Sequence, residues 1–159
     1  MKLHVETGED NKILRTKSQV VKEITKKTQK FIKDMEKSMK NEKGVGLAAP
    51  QVGVNERIIV VLLNEKKIIS MINPEITYCS EETSIDEEGC LSLPGIWGNV
   101  ERSKDITVKF LTPKGDKVAM KLKNFNARII QHEIDHLNGI LFTDHLEEDE
   151  RSTTGLRIV

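Results

Sequence analysis

Two imidazoles stand four residues apart in Gln131-His132-Glu133-Ile134-Asp135-His136-Leu137-Asn138-Gly139, with a carboxylate directly after the first. On a helix, positions i and i+4 share a face, so His132 and His136 can aim ring nitrogens at one divalent cation. Glu133 is turned about 100° from His132 on the same helix. It then stands beside the cation rather than on it, where it can handle a proton on water without acting as a ligand. The chain holds only four histidines. Two of them in this register, with the acid between them, favour a metal site over a surface helix that happens to carry two polar rings.

A catalytic metal needs a third protein ligand, and spacing narrows the choice. The extended zinc-protease signature places a third histidine three residues beyond the glycine. That position is Phe142, which cannot coordinate, and His145 comes three residues too late. A thermolysin-like set takes a glutamate from a second, downstream helix. Only Glu147, Glu148 and Glu150 remain for that, in a short tail. Upstream, Cys90 sits between glycine-flanked and proline-flanked turns in Glu88-Gly89-Cys90-Leu91-Ser92-Leu93-Pro94-Gly95. One cysteine with two histidines and an open position is an accepted catalytic set. Against it stands the usual fate of a free cysteine, a small buried hydrophobe, which is also the reading for Cys79. On spacing alone these options stay open.

The elements that must position these residues follow from periodicity. From about Lys22 to Glu42, Ile24, Phe31, Ile32, Met35 and Met39 recur at helical spacing, and Gly44 stops the helix as a C′ glycine. Its lysines, from Lys26 to Lys40, read as a solvated face. Arg57 to Leu63 reads as a buried strand and Ile68 to Ile72 as its partner, ending before Pro74. Residues 75–89 are polar and acidic and read as an edge strand and loop. Ile106, Val108 and Phe110, then Val118, Met120 and Leu122, predict two strands joined by the turn Thr112-Pro113-Lys114-Gly115-Asp116. The metal helix runs from an Asn124 N-cap to Asn138, closed by Gly139, with Phe125, Ile129, Leu137 and Ile140 as its apolar contacts. Ile13, Leu14 and Val20 pack the N-terminal arm onto the core, and Glu147 to Val159 has no period. The fold class is α+β, with mainly antiparallel strands wrapped around a central metal-binding helix and an N-terminal amphipathic helix, in a single domain over 1–159.

Bulk composition excludes several classes. Hydrophobic residues make up 37% and charged residues 31%, a soluble globular balance. The 25 basic and 25 acidic side chains cancel, so no global field argues for a nucleic-acid or membrane partner. No apolar run approaches a membrane span, and the start lacks a signal-peptide core. The expected location is the cytoplasm, where a disulfide between Cys79 and Cys90 is not expected.

Gly44-Val45-Gly46-Leu47-Ala48-Ala49-Pro50-Gln51, Glu88-Gly89-Cys90-Leu91-Ser92 and Gln131-His132-Glu133-Ile134-Asp135-His136-Leu137 resemble the three signature motifs of the peptide deformylases, in the family's order and spacing. Asp10-x-x-x-Leu14-Arg15 resembles the family's N-terminal arm. The resemblance implies a metal-dependent hydrolase that removes the formyl group from the N-terminal formyl-methionine of nascent polypeptides, releasing formate. It implies Cys90, His132 and His136 as ligands of one divalent metal, ferrous iron, with zinc, nickel or cobalt able to substitute. It assigns Glu133 to proton transfer, and the Gln51 side-chain amide and the Leu91 backbone N–H to the developing oxyanion. Val45 and Gly46 would pair with the substrate backbone, and Phe125 and Ile129 would line the methionine pocket. Arg128 occupies a helix position where an apolar residue is expected, so it either snorkels to solvent or reshapes that pocket. Arg102 and Asp135 pair around the histidines or on the surface. The implied partner is a formylated nascent peptide. Ribosome contact is at most transient, because Glu147-Glu148-Asp149-Glu150-Arg151 supplies no basic C-terminal helix. A general metallopeptidase is the rival enzyme. A non-catalytic metal binder is disfavoured by the presence of Glu133, Gln51 and Cys90 together.

Overall fold

The computed structural model describes residues 2–146, together with the strand backbone of 152–153 and 156–157. A short helix α1 (Lys12–Arg15) and a long helix α2 (Lys26–Asn41) precede strand β1 (Gly46–Ala48), which passes directly into a 3-10 turn over Ala49–Val52. Strands β2 (Ile58–Leu63), β3 (Lys67–Cys79), β4 (Thr83–Cys90), β5 (Leu93–Ser103), β6 (Asp105–Leu111) and β7 (Lys117–Lys123) lead to helix α3 (Asn124–Leu137). A 3-10 turn over Phe142–His145 follows, then the two-residue strands β8 (Ser152–Thr153) and β9 (Leu156–Arg157). The strands form two antiparallel sheets, ordered β1-β2-β3-β6-β7 and β4-β5-β8-β9. Helix α3 packs against both of them, which makes it the central element that the α+β expectation required. No helix among the described residues is long and apolar enough to cross a membrane.

Strand β2 shows why its sequence is apolar without interruption. Ile59, Val61 and Leu63 join α3 residues Ala127, Ile130 and Ile134 in one core cluster, while Ile58 and Val60 join Ile32, Met35 and Met39 of α2 in another. Successive side chains point to opposite faces, so a strand covered by a helix on each face needs an apolar residue at every position. A third cluster, around Leu14, Leu93, Val100, Leu141 and Phe142, fills the space below β5.

Several local expectations change. Helix α2 starts at the Thr25 cap, whose side chain accepts from Thr28 N–H. At its other end Lys43, not Gly44, takes the left-handed conformation (φ 55°), and Gly44 N–H closes onto Met39 O at 3.0 Å. The helix therefore ends one residue earlier in a Schellman turn. At Gly44 a Cβ would stand 3.3 Å from the Leu91 side chain, a tight contact that Leu91 would have to relieve. The N-cap position of helix α3 is Lys123 rather than Asn124, and its side chain makes no capping bond. It ends as expected, with Gly139 at φ 74° and Ile140 N–H bonded to Asp135 O. Strand β3 runs through Pro74 by a bulge between Ile72 and Glu75, where Asn73 takes positive φ and holds Val21 through its side chain. A bulge leaves a residue unpaired, which is where a proline without an N–H fits in a sheet. The region read as an edge strand and loop is the outer part of β3 followed by a long β4–β5 hairpin. Val20 is 60% exposed, and its neighbour Val21 takes the buried position in the arm. Cys79 is exposed rather than buried, and both cysteines are free.

Candidate metal centre

The last residue of β4 and two turns of α3 meet at one point. The ligand atoms of Cys90, His132 and His136 all lie within 4.8 Å of one another, with Cys90 Sγ 3.3 Å from His136 Nε2. Both histidines are buried. One thiolate and two imidazoles form a donor set suited to zinc or iron. Burial lowers the His136 pKa well below the usual histidine value, and the charges of His132 and Arg102 push the same way. Its ring stays neutral and keeps a lone pair for a cation. Burial also lowers His132, but hydrogen bonds to Cys90 and Glu88 outweigh it and its pKa rises. A divalent cation would displace a proton from that ring on binding. The residues present fit such an ion.

Glu88 sets the orientation of His132. Its carboxylate is buried and receives four donors: Arg102 Nη2 (2.9 Å) and His132 Nδ1 (2.8 Å) at Oε1, and Arg102 Nε (2.9 Å) and Arg128 Nη1 (2.6 Å) at Oε2. Burial pushes the Glu88 carboxyl up, but the hydrogen bonds from His132 and Arg102 and the Arg102 charge hold it well below the usual carboxylate range. An ionised carboxylate only accepts, so His132 Nδ1 carries a proton, and Nε2 is the nitrogen left to give its lone pair to a cation. Arg102 also donates to Asp135 Oδ2 at 2.6 Å, which in turn receives His145 Nε2 at 2.9 Å. The pairing of Arg102 with Asp135 therefore belongs to the site, not the surface. Arg128 does not snorkel. It is 5% exposed and its guanidinium turns inward. Burial acts to lower the Arg102 pKa, but Glu88 and Asp135 raise it, so the ion pair stays fully charged.

The Gln51 carboxamide has one orientation only. Its Oε1 accepts from Ala48 N–H at 2.9 Å, so Nε2 is the group turned toward Ser92 Oγ (3.0 Å) and Cys90 Sγ (3.4 Å). Glu133 is buried on the other side, and its Oε1 has no hydrogen-bond partner among the described residues. A Cβ on Gly46 would collide with this carboxylate, so the glycine makes room for it. Burial, reinforced by the charge of Glu88, raises the Glu133 pKa to about 7, against the opposing pull of His132 and Arg102. Such a carboxyl is poised for proton transfer near neutrality.

These groups face a cavity of about 570 Å³ that also touches Val45, Leu91, Phe125, Ile129 and Trp97. Ile129 is buried in its wall, whereas Phe125 is 53% exposed at the mouth and gives the helix little core contact. His136 lies deepest and does not reach the cavity. Trp97 lies flat on Gly89, where any Cβ would strike its ring. Glu88, Ser92 and Trp97 were not singled out as site residues from sequence, and Arg128 was singled out only as an unexpected residue near the methionine pocket. Alternation along the strand gives no rule for Glu88, because the β4–β5 ladder shifts register between Glu88 and Cys90. Cys90→Ala is expected to lose the metal while Cys79→Ala keeps it, as read by metal content after loading and desalting.

The family model described as polypeptide deformylase matches residues 4–152. A peptide deformylase of Halothermothrix orenii is 53% identical over 133 residues, which is 83% of this chain and 86% of that protein. One of Pseudothermotoga lettingae is 45% identical over 139 residues, 87% of this chain and 80% of that protein. The crystal structure of the Thermotoga maritima peptide deformylase matches with a TM-score of 0.88 at 39% identity, covering 92% of this chain and 99% of that one. A Met-Ala-Ser-bound class I type b peptide deformylase from Acinetobacter baumannii matches with a TM-score of 0.86 at 37% identity, covering 91% and 99%. The shared sequence spans the β1 loop, the Cys90 turn and helix α3 alike, and the chain belongs to the peptide deformylase family.

Proposed function

We propose that the chain hydrolyses the formamide of N-terminal formyl-methionine on nascent polypeptides, releasing formate and a free amino terminus. The observation that carries this reading is the Gln51 amide, locked by Ala48 so that its N–H₂ converges with Cys90 and its histidine partners on one small space beside Glu133. A divalent ion held by Cys90, His132 and His136 would supply Lewis acidity and lower the pKa of a water. Glu133 takes the proton from the attacking water and later delivers it to the leaving amine. Gln51 Nε2 and the Leu91 N–H donate to the carbonyl oxygen as negative charge develops on it. Losing one such donor typically costs about 3 kcal/mol of transition-state stabilisation.

Substrate is held by β1, the edge strand of its sheet. The Val45 carbonyl is committed to Leu62 N–H at 2.8 Å, so the backbone groups of Gly46 face the open edge, where an extended peptide adds as a strand. The methionine side chain enters beside Ile129, under the half-exposed ring of Phe125. Ferrous iron is the assigned metal, with zinc, nickel or cobalt able to replace it at a thiolate–imidazole site. The enzyme works in the cytoplasm of a bacterium, encoded by it or by its phage, or in an organelle, and ribosome contact is at most transient. The tail on which a docking helix would stand, Glu147–Arg151, lies outside the described residues.

Anaerobic assay of ferrous- or nickel-loaded protein with formyl-Met-Ala-Ser tests the reading. Formate should appear together with free Met-Ala-Ser; cleavage of internal peptide bonds without formate would replace this reading with a metallopeptidase. Gly46→Ala is expected to lower kcat/KM by on the order of 10²-fold, because the new methyl displaces Glu133 from its position. Metal content should stay at the native level, which separates this loss from damage to the ligands.

A further inference from the structure

Arg128 lies one helical turn before His132, and both residues bond to the same carboxylate from α3. Arg128 Nη1 holds Glu88 Oε2 at 2.6 Å, and His132 Nδ1 holds Oε1 at 2.8 Å. Residues at i and i+4 stack on one helix face, so the helix grips Glu88 at two points spaced along its axis. Glu88 lies on β4 two residues before Cys90. Core packing and the Arg102–Asp135 and Gln131–Ser103 bonds already hold α3; two contacts on opposite oxygens of Glu88 add a fixed register between the helix and the strand that carries Cys90. The guanidinium also donates to Val100 O (2.8 Å) and to Ser84 O (2.9 Å) and Oγ (3.2 Å), so the grip is tied to both strands of the β4–β5 hairpin. Arg102 supplies Glu88 with a bidentate partner from β5 and reaches α3 through Asp135, beyond His132, so the tie at Arg128 is the one that holds the helix on the N-terminal side of His132.

We propose that Arg128 is a positioning residue that, together with His132, brackets Glu88 and thereby sets where the two imidazoles of α3 stand relative to the Cys90 thiolate. The proposal rests on the reading of Cys90, His132 and His136 as metal ligands. Arg128 borders the cavity, but in this role its side chain acts on the geometry of the ligand set through Glu88. The planar fork adds the ties to the strands, because a guanidinium reaches the carboxylate and two strand carbonyls at once, whereas an ammonium can keep the bond to Glu88 but not the others.

The test uses cobalt(II) on the full-length protein, with affinity from chelator competition and geometry from the visible absorption bands. R128M keeps the apolar stem and removes every donor. It is expected to bind cobalt about 10- to 100-fold more weakly, the range usual for partners that orient a ligand, and with shifted ligand-field bands. R128Q keeps a polar head near the strand carbonyls but lacks the reach and charge for Glu88, so it should show the same loss; it carries the test if R128M fails to fold. R128K restores charge and one donor to Glu88 and should recover most of the affinity, with a lower melting temperature because the Ser84 and Val100 bonds are gone. In an E88Q background, R128M should change affinity less than threefold, since the bracketed group is already altered. A folded R128M or R128Q with native cobalt affinity and spectrum would overturn the proposal. Wild-type protein lacking a thiolate-to-cobalt charge-transfer band would instead overturn the ligand assignment on which it rests.

Discussion

Glu133→Gln is expected to lower kcat for formate release by about 10² to 10⁴, the usual contribution of a positioned acid–base group, while metal content and melting temperature do not fall. Glutamine has nearly the same shape and still fits against Gly46. It cannot accept a proton from water or return one to the amine. Nothing around it loses a bond, because the Glu133 Oε1 atom has no partner to leave behind. A structural role would show as lost stability, and an acid–base role as lost turnover in a protein that melts no earlier. Steady-state kinetics with formyl-Met-Ala-Ser and a thermal melt on the same preparation separate the two.

The pH dependence of this pair follows from the direction of the shift. Burial raises Glu133 from the ordinary carboxylate value to about 7. The folded, metal-stripped protein then binds this proton more tightly than the unfolded chain does, so the residue takes stability away as pH rises through that interval. The glutamine variant should therefore melt higher than wild type at pH 8, and the gap should close near pH 4, where the carboxyl is protonated in both states. Activity runs the other way, because only the ionised carboxylate can take the proton. A bound cation pulls the Glu133 pKa down, placing the acid limb of kcat/KM below 7. Glutamine should abolish that limb along with the rate. The stability that the native residue gives up is the usual companion of a buried catalytic charge.

What made this site legible was local geometry. The four-residue interval between His132 and His136 has one meaning on a helix, whatever the rest of the chain does, and Gly139 marked where that helix ends. The unbroken apolar run of β2 announced an element covered on both faces. The β4–β5 hairpin was hidden because Pro94, Gly95 and Gly98 interrupt the alternation of β5, and acids crowd the outward face of β4. Lys43 was hidden because a left-handed lysine carries no compositional mark, and the nearby glycine drew the assignment to itself. Arg128 was out of reach for a different reason. Its four hydrogen bonds run to residues 28 to 44 positions away, so its inward turn depends on how two distant strands fold back over the helix. An arginine beside an apolar pocket reads as an intrusion until the carboxylate that it answers is in place.

Glu88→Ala is expected to destabilise the metal-stripped protein by about 3–5 kcal/mol at pH 7, the range for breaking a buried ion pair from one side. The loss has three parts: the Arg128 guanidinium keeps only neutral acceptors, Arg102 keeps only Asp135, and His132 Nδ1 loses its acceptor. Because the folded pKa of Glu88 is depressed, its contribution is fully present above the ordinary carboxylate range and is lost only as pH falls toward the depressed value. Urea unfolding of wild type and variant should thus differ most at pH 7 and converge in strong acid. Stripping the metal matters, since ion binding adds its own stabilisation to the native state and would inflate the difference. Glu88→Gln should fall between the two: the amide keeps the volume and one acceptor, but it presents N–H groups to an arginine and cannot neutralise either guanidinium. A Glu88→Ala protein within 1 kcal/mol of wild type at pH 7 would mean that the two arginines find water or other acceptors when the carboxylate is gone, and that Glu88 serves only the histidine. The measured size of the loss therefore decides whether this buried carboxylate holds the β4–β5 hairpin to α3 or merely orients one ring upon it.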